Sequence, residues 1–267
     1  MALVPLETKD VPSHRVAVVT GASSGLGVAI ARQLAELGWS VAIGARRVDR
    51  LREVAAEIEA GGGKVFAHEL DVTRYDSVDE FFRAAEASLG EADVVVNNAG
   101  VGRPGPIHET PPERIAHEIA TNLIGPFYVV RRALPWMIER GRGGELVFIG
   151  SDAAKHPRPR QTLYSASKAG LENFQQALAL ELEGTGVRTT SIRVGPAVSE
   201  FASDWDPGDA ESHIPYWRRF GLQRFEGAMP AEQVAHAVAF AVTRPQGVLL
   251  DTLEIQPAAP IGDPETP

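Results

Sequence analysis

Tyr164 and Lys168 are the pair in this chain best placed to do chemistry together. They sit four apart in Tyr164-Ser165-Ala166-Ser167-Lys168, a helix-forming run. Side chains at i and i+4 share a helix face, about 6 Å apart along the axis. An ammonium beside a phenol favours the phenolate, so this tyrosine is expected to trade a proton below its free pKa of about 10. The spacing alone fits two solvated side chains on an ordinary helix equally well. It gains meaning from Ser151, a short way upstream, and from the glycine-rich turn Thr20-Gly21-Ala22-Ser23-Ser24-Gly25-Leu26-Gly27.

Elements of regular structure have to bring these parts together. Apolar, β-branched runs at 15–20, 40–45, 64–70, 93–97, 145–149, 187–194 and 248–255 read as strands. The near-continuous hydrophobicity of Val94-Val95-Val96 and Leu146-Val147-Phe148-Ile149 fits strands buried on both faces. Helical patterns fall between them at 25–37, 48–60, 77–89, 113–140, 162–183 and 231–243. This alternation predicts an α/β fold: a single-domain, doubly wound parallel sheet of about seven strands with helices on both faces. The core domain spans 15–256, after an N-terminal extension 1–14 and before a proline-rich tail 257–267. Residues 200–226 break the alternation and read as an inserted lobe.

The glycine turn follows the first strand and opens the first helix. There, glycines let the backbone approach a pyrophosphate, which rests on the free N–H groups of the helix N-terminus. Gly21, Gly25 and Gly27, with Ser23, Ser24 and Leu26 between them, are therefore candidate dinucleotide contacts. The spacing is Gly-x-x-x-Gly-x-Gly, and a tightly packed strand-to-helix turn would use the same residues.

Composition narrows the function classes. The 267 residues carry a net charge of −9 and no long basic run, so nucleic acid and anionic membrane are poor partners. No cysteine is present, which excludes disulfides, thiolate catalysis and thiolate metal sites, and fits the cytoplasm. The start of the chain lacks the apolar core of a signal peptide, and no apolar run is long enough to cross a bilayer. The seven histidines show no metal-ligand spacing, so no metal is expected.

Taken in order, these motifs resemble the short-chain dehydrogenase/reductase family in its short, single-domain form. The resemblance runs from about Arg15 to Gln256. It rests on Thr20-Gly21-x-x-x-Gly25-x-Gly27, Asn97-Asn98-Ala99-Gly100, Asn122 in a long helix, Ser151, and Tyr164-x-x-x-Lys168. It implies a Rossmann-fold oxidoreductase that moves a hydride between a nicotinamide cofactor and a carbonyl or secondary alcohol. Tyr164 would be general acid or base, and Ser151 would hold the substrate oxygen. Lys168 would hold the nicotinamide ribose and lower the tyrosine pKa. Asn122 would anchor a water for proton resupply, although by itself it could simply bridge backbone groups. Asn98, Ala99 and Gly100 would lie along the adenosine side. Asp71 and Val72 would clamp adenine, though Asp71 could equally cap the next helix. Tyr164 and Lys168 would also touch the cofactor. The family's relatives often pair through their long helices, so a homodimer or homotetramer is expected.

The end of the second strand, Ile43-Gly44-Ala45-Arg46-Arg47, bears on cofactor choice. An NAD enzyme usually has an acid here for the ribose 2′-hydroxyl. Ala45 stands in that place, and a guanidinium fork at Arg46 or Arg47 suits the additional phosphate, so NADP(H) is expected over NAD(H). One segment departs from the family, which commonly has Pro-Gly-x-x-x-Thr after strand six. This chain has Val194-Gly195-Pro196-Ala197-Val198-Ser199. Val194, Gly195, Ala197 and Ser199 remain candidate nicotinamide contacts, with their seating altered.

Phe201, Trp205, Tyr216, Trp217, Phe220 and Phe225 crowd the inserted lobe. They fit either a bulky, apolar small-molecule substrate or pins that hold the lobe to the core. Arg103, Asp152 and His156 are further candidates for the pocket wall. Two rival readings use the same scaffold: a non-catalytic NADP(H) sensor, and an epimerase or dehydratase that uses its cofactor transiently.

Overall fold

In the computed structural model the placement is described for residues 12–202, 205, 207–222 and 227–258. Residues 1–11, Phe225 and the tail 259–267 lie outside the described residues. Seven strands form: β1 Val16–Thr20, β2 Ser40–Ala45, β3 Lys64–Glu69, β4 Val94–Asn97, β5 Gly144–Ile149, β6 Val187–Val194 and β7 Thr252–Ile255. The helices are α1 Gly25–Glu36, α2 Val48–Ala60, α3 Tyr75–Leu89, α4 Pro112–Ile119, α5 Gly125–Glu139, α6 Thr162–Glu181, α7 Pro207–Arg219 and α8 Ala231–Val242.

The sheet has the order β3-β2-β1-β4-β5-β6-β7, with every neighbouring pair parallel. Side chains alternate across it, as a strand's period of two requires. Val19, Ile43, Val96, Val147 and Ile149 face one way and pack against Ile30 and Leu34 of α1, Leu51 and Val54 of α2, and Val234 and Val238 of α8. Val18, Ala42, Val95, Leu146 and Phe148 face the other way, against Phe81 and Phe82 of α3, Met137 of α5 and Leu171 of α6. Each Val, Leu, Ile, Phe or Met side chain among these contributes about 1.5–3 kcal/mol when fully buried. This makes β1, β4 and β5 a rigid floor, and the chain reverses its winding between β1 and β4. Open α/β sheets bind ligands at that reversal, outside the strands' C-terminal ends.

Three expectations need correction. The stretch 113–140 is not one uninterrupted α-helix: a π-helical segment, Ala120–Ile124, joins α4 to α5. The last strand is shorter than 248–255, because the Val248 N–H is spent in a turn to the Pro245 carbonyl (3.2 Å). The lobe after β6 contains a regular helix, α7, where the alternation predicted none. Pro207 and Pro215 hide that helix from pattern reading. Its His213 and Trp217, four apart, are both buried.

Candidate active site

At the reversal point a cleft of about 930 Å³ opens above β1, β4 and β5. Gly21, Ser23, Ser24, Gly25 and Leu26 line one end, with Arg46, Arg47, Asp71, Val72, Asn98, Ala99 and, packed against Gly25, Ser199. Ser151, Tyr164, Lys168, Val194, Gly195 and Ala197 line the other, where Gly100 stands beside Lys168. Two predicted residues stand behind its surface. Gly27 packs where any β-carbon would strike the Asn98 amide and Ala22 Cα. Asn122 is fully buried behind the cleft.

The glycine turn is built for close approach. Gly21 has φ +67°, a left-handed value that L side chains rarely adopt, and a β-carbon there would stand 2.7 Å from Ala99 Cα. Asn98 fixes the facing loop by donating from Nδ2 to the carbonyls of Thr20 (2.9 Å) and Gly21 (3.2 Å). No side chain caps the N-terminus of α1 at Ser24. Its first N–H groups therefore remain available to an anion at this end of the cleft. These features fit a dinucleotide: a pinched glycine cradle, an uncapped helix start and two adjoining arginines.

Arg46 is exposed and acts on Asp71 through its charge. Arg47 spreads its guanidinium over Ser23 Oγ (3.2 Å), Ser24 Oγ (2.5 Å) and Glu200 Oε2 (3.1 Å). Ala45, buried at the strand end, leaves no carboxylate in the position an NAD enzyme would use. The Asp71 carboxylate lines the cleft and also closes a turn, accepting from Thr73 N (3.0 Å) and Thr73 Oγ1 (2.7 Å). Asp71 does not cap the next helix, as one reading expected: α3 starts at Tyr75 after Arg74, with no side-chain cap.

At the other end, α6 turns Tyr164 and Lys168 into the cleft on one face. Ser151 starts a short 3₁₀ turn after β5, where its Oγ accepts from Ala153 N (3.1 Å) and donates to Asp152 Oδ1 (3.3 Å). The Lys168 ammonium donates to the Ile149 carbonyl (2.8 Å) and lies 5.8 Å from the Tyr164 ring centre. The Asn122 side chain is committed: Oδ1 accepts from Val101 N (2.8 Å), and Nδ2 donates to the Val101 carbonyl (2.8 Å) and Ser167 Oγ (3.0 Å). It ties the loop after β4 to α6.

The expected lowering of the Tyr164 pKa by Lys168 is not what this geometry gives. Burial pushes the phenol up to about 12, and the Asp152 and Glu118 charges push the same way. The Ser151 hydrogen bond and the Arg158 charge oppose them. Lys168 is itself desolvated and drawn down to about 8. In this state Tyr164 is a proton donor at neutral pH.

The aromatic lobe closes over the phenol. Phe201 tilts against Tyr164 at 5.1 Å, and a chain of rings continues through Trp205, His213 and Trp217 at 5.9, 5.3 and 4.2 Å. Trp205 Nε1 donates to the Gly102 carbonyl (2.8 Å), and Trp217 Nε1 to the Pro159 carbonyl (3.0 Å). Phe201, Trp205 and Trp217 therefore both pin the lobe and line the cleft. Tyr216 and Phe220 are exposed. Arg103 and Asp152 reach the cleft, whereas His156 is exposed and is not part of its lining.

Sequence reading missed Arg158, which pairs with Asp152 (2.6 Å) and stacks on Trp217 (5.0 Å). It also missed Arg114, His117, Glu118 and Gln161, all on the cleft wall. The position of Glu118 one helical turn before Asn122 was the available signal for that residue. Among the described residues no three His, Cys, Asp or Glu side chains are grouped to hold a metal, and no helix is long and apolar enough to cross a membrane.

Comparison with known proteins finds similarity along most of the chain. The short chain dehydrogenase family model matches residues 15–210. A short chain dehydrogenase of Pseudocercospora fijiensis is 38% identical over 218 residues, covering 80% of this chain and 70% of that one. The closed form of a serine dehydrogenase, solved with NADP+, has a TM-score of 0.81 at 31% identity, over 92% of this chain and 97% of the other. An alcohol dehydrogenase of the archaeon Thermococcus sibiricus, solved with 5-hydroxy-NADP, has a TM-score of 0.78 at 29% identity, over 92% of this chain and 100% of the other.

Proposed function

Since the chain belongs to the short-chain dehydrogenase family and is an oxidoreductase of that family, we propose that it interconverts a carbonyl and a secondary alcohol using NADP(H). The observation that carries this reading is convergence: Ser151, Tyr164 and Lys168 open into the same cleft as the glycine cradle and the free start of α1.

A nicotinamide cofactor bound there supplies or accepts the hydride. Gly21, Ser23, Ser24, Gly25 and Leu26 would hold its pyrophosphate, with Gly27 keeping α1 tight against the loop. Asn98, Ala99, Asp71 and Val72 would border adenosine, while Gly100, beside Lys168, would lie nearer the nicotinamide. Arg46 and Arg47 would hold a 2′-phosphate, which supports NADP(H) over NAD(H). Val194, Gly195, Ala197 and Ser199 would flank the nicotinamide, beside Tyr164 and Lys168.

The chain's own groups handle the proton. Ser151 donates to the substrate oxygen and holds it near the phenol. Tyr164 retains its proton at pH 7, with its pKa at about 12, and passes it to the oxygen as negative charge builds there. Lys168, the nearest cation on the same helix face, returns a proton to the phenolate. Asn122 keeps the loop and α6 in register. Trp205, Trp217 and Phe201 give the substrate end apolar walls, which suits a bulky or apolar small molecule.

Tyr164→Phe tests the assignment, because it removes only the hydroxyl. With NADPH and a panel of aldehydes and ketones, turnover is expected to fall about 10²–10⁴-fold, the usual worth of a positioned general acid. NADPH binding, followed by its fluorescence, is expected to stay within about threefold, well below a 1.4 kcal/mol change. Near-normal turnover in this variant would refute the role of Tyr164.

A further inference from the structure

Glu118 lies on α4, four residues before Asn122 and so on the same helix face. Its side chain lines the cleft, yet the residue is only 2% exposed, and its Oε1 has no hydrogen-bond partner. Taking a carboxylate out of water costs several kcal/mol unless another charge faces it. An apolar side chain would fill the same space without that cost, so the charge itself calls for a purpose.

The groups around it are defined. From its own helix, Arg114 lies one turn earlier, with Glu113 and His117 exposed nearby on the cleft wall. From the loop after β4 come Arg103 and its backbone N–H, which donates to Glu118. The Arg114 guanidinium donates to the carbonyls of Arg103 and Pro104, and its charge opposes the burial of Glu118 more strongly than that of Lys168 does. From α6 come Tyr164 and Lys168, both of which feel the Glu118 charge. The π-helical segment that follows α4 contributes no titratable side chain. Lys168 is 4% exposed. A β-carbon on Gly100 would stand 3.5 Å from both Lys168 Nζ and Asn122 Oδ1, so ammonium and amide share one small chamber.

We propose that Glu118 is the buried counter-charge of Lys168, a positioning residue that keeps the ammonium protonated inside the cleft so that it can recharge Tyr164. The inference rests on the function proposed above. In the reducing direction the carbonyl carbon gains hydride and its oxygen takes the Tyr164 proton. The phenolate then takes a proton from the Lys168 ammonium, which becomes a neutral amine. The amine regains its proton from solvent, and the Glu118 carboxylate favours that uptake. Burial works against the cycle by drawing Lys168 down to about 8, and Glu118 is the charge that opposes it. The same burial pushes Glu118 up to about 7. Charge–charge coupling between the two partners holds both in the ionised form over a shared pH interval.

The chain has four lysines, Lys9, Lys64, Lys155 and Lys168, so Lys168 can be resolved by NMR of the full-length protein carrying ¹³Cε-lysine. Its signal is identified by its loss in Lys168→Arg. In the wild type its titration is expected to have a midpoint near about 8 and a smaller inflection near about 7 from Glu118. In Glu118→Gln the inflection disappears and the midpoint falls by about one unit, a tenfold loss of ammonium-forming equilibrium constant. An unmoved or raised midpoint overturns the proposal. If Glu118→Gln fails to fold, the wild-type curve decides: a single inflection, or a lower inflection that vanishes in His117→Asn, also overturns it. A parallel assay of NADPH with 4-nitrobenzaldehyde separates the two ideas. Failure to reduce that or any other carbonyl counts against the proposed function, while the Lys168 titration judges the counter-charge without turnover.

Discussion

Arg46→Ala isolates the nucleotide preference, because the two arginines at the end of β2 are differently engaged. Arg47 already spends Nε and both terminal nitrogens on Ser23, Ser24 and Glu200. Arg46 is exposed, with its charge directed on Asp71. A hydrogen bond to a charged group is worth about 1.5–3 kcal/mol, and exposure puts Arg46 at the lower end. A loss of about 1.5 kcal/mol is roughly tenfold in Kd. Arg46→Ala is therefore expected to weaken NADPH binding about tenfold while leaving NADH within about twofold, a change too small to signal a lost contact. Arg47→Ala also unties the glycine turn, so it should weaken both nucleotides, and NADPH the more. Fluorescence titration of each nucleotide against each variant gives the four ratios. The NADPH advantage should also shrink as salt rises, since the contact is exposed. Equal losses of NADPH and NADH in Arg46→Ala, or a wild type that prefers NADH, would refute the reasoning.

Other perturbations probe the remaining joints. Gly102→Ala places a β-carbon 2.7 Å from both Tyr164 Cδ2 and Phe201 Cζ. Because a misplacement of about 1 Å costs about 10²-fold, turnover should fall by up to that factor while nucleotide affinity changes little. Normal turnover would show that this contact does not set the ring. Glu254 is held below the usual carboxylate range chiefly by the Arg193 hydrogen bond. A depressed folded pKa gives stability that is present above the unfolded value near 4.5 and lost as pH falls through the folded one. Glu254→Gln should accordingly lower Tm by about 1–3 °C at pH 7, a difference that shrinks as pH falls below 4.5; a loss independent of pH would assign the effect to packing. Phe127, Trp136, Ile138 and Leu180 are exposed on α5 and α6. The expected homodimer or homotetramer should dissociate on light scattering when Phe127 and Trp136 are both replaced by Asp, and an unchanged mass would place the interface elsewhere.

The sheet was legible because its strands are buried on both faces and announce themselves as apolar runs. Val94, Val95 and Val96 have no exposed surface, and their neighbours on β1 and β5 are almost as buried. The motifs that depend on local geometry were equally legible: Gly21 with its positive φ, the free start of α1, and Tyr164 with Lys168 one turn apart. The lobe was not. Its helix α7 carries two prolines and few apolar residues, and its identity comes from rings meeting across the cleft rather than from period. The π-helical join at Ala120–Ile124 also leaves no mark in residue pattern, since it changes hydrogen-bond register within a continuous helix.

The electrostatics of the site show most sharply where sequence spacing runs out. Spacing places an ammonium beside a phenol, and in water the first would acidify the second. Inside the cleft the phenol and the ammonium are both desolvated, and desolvation acts on each towards its neutral form. The outcome turns on residues outside the Tyr–Lys spacing: Asp152 and Arg158 beside the phenol, and Glu118 acting on both members of the pair. A tyrosine that keeps its proton suits delivery to a developing alkoxide, the proton step of the proposed reduction. Running the reaction as an oxidation would require positive charge at the nicotinamide to draw the phenol down. The same fold would then change direction with the charge it binds, and the buried carboxylate on α4 would decide how far into alkaline pH its lysine keeps pace.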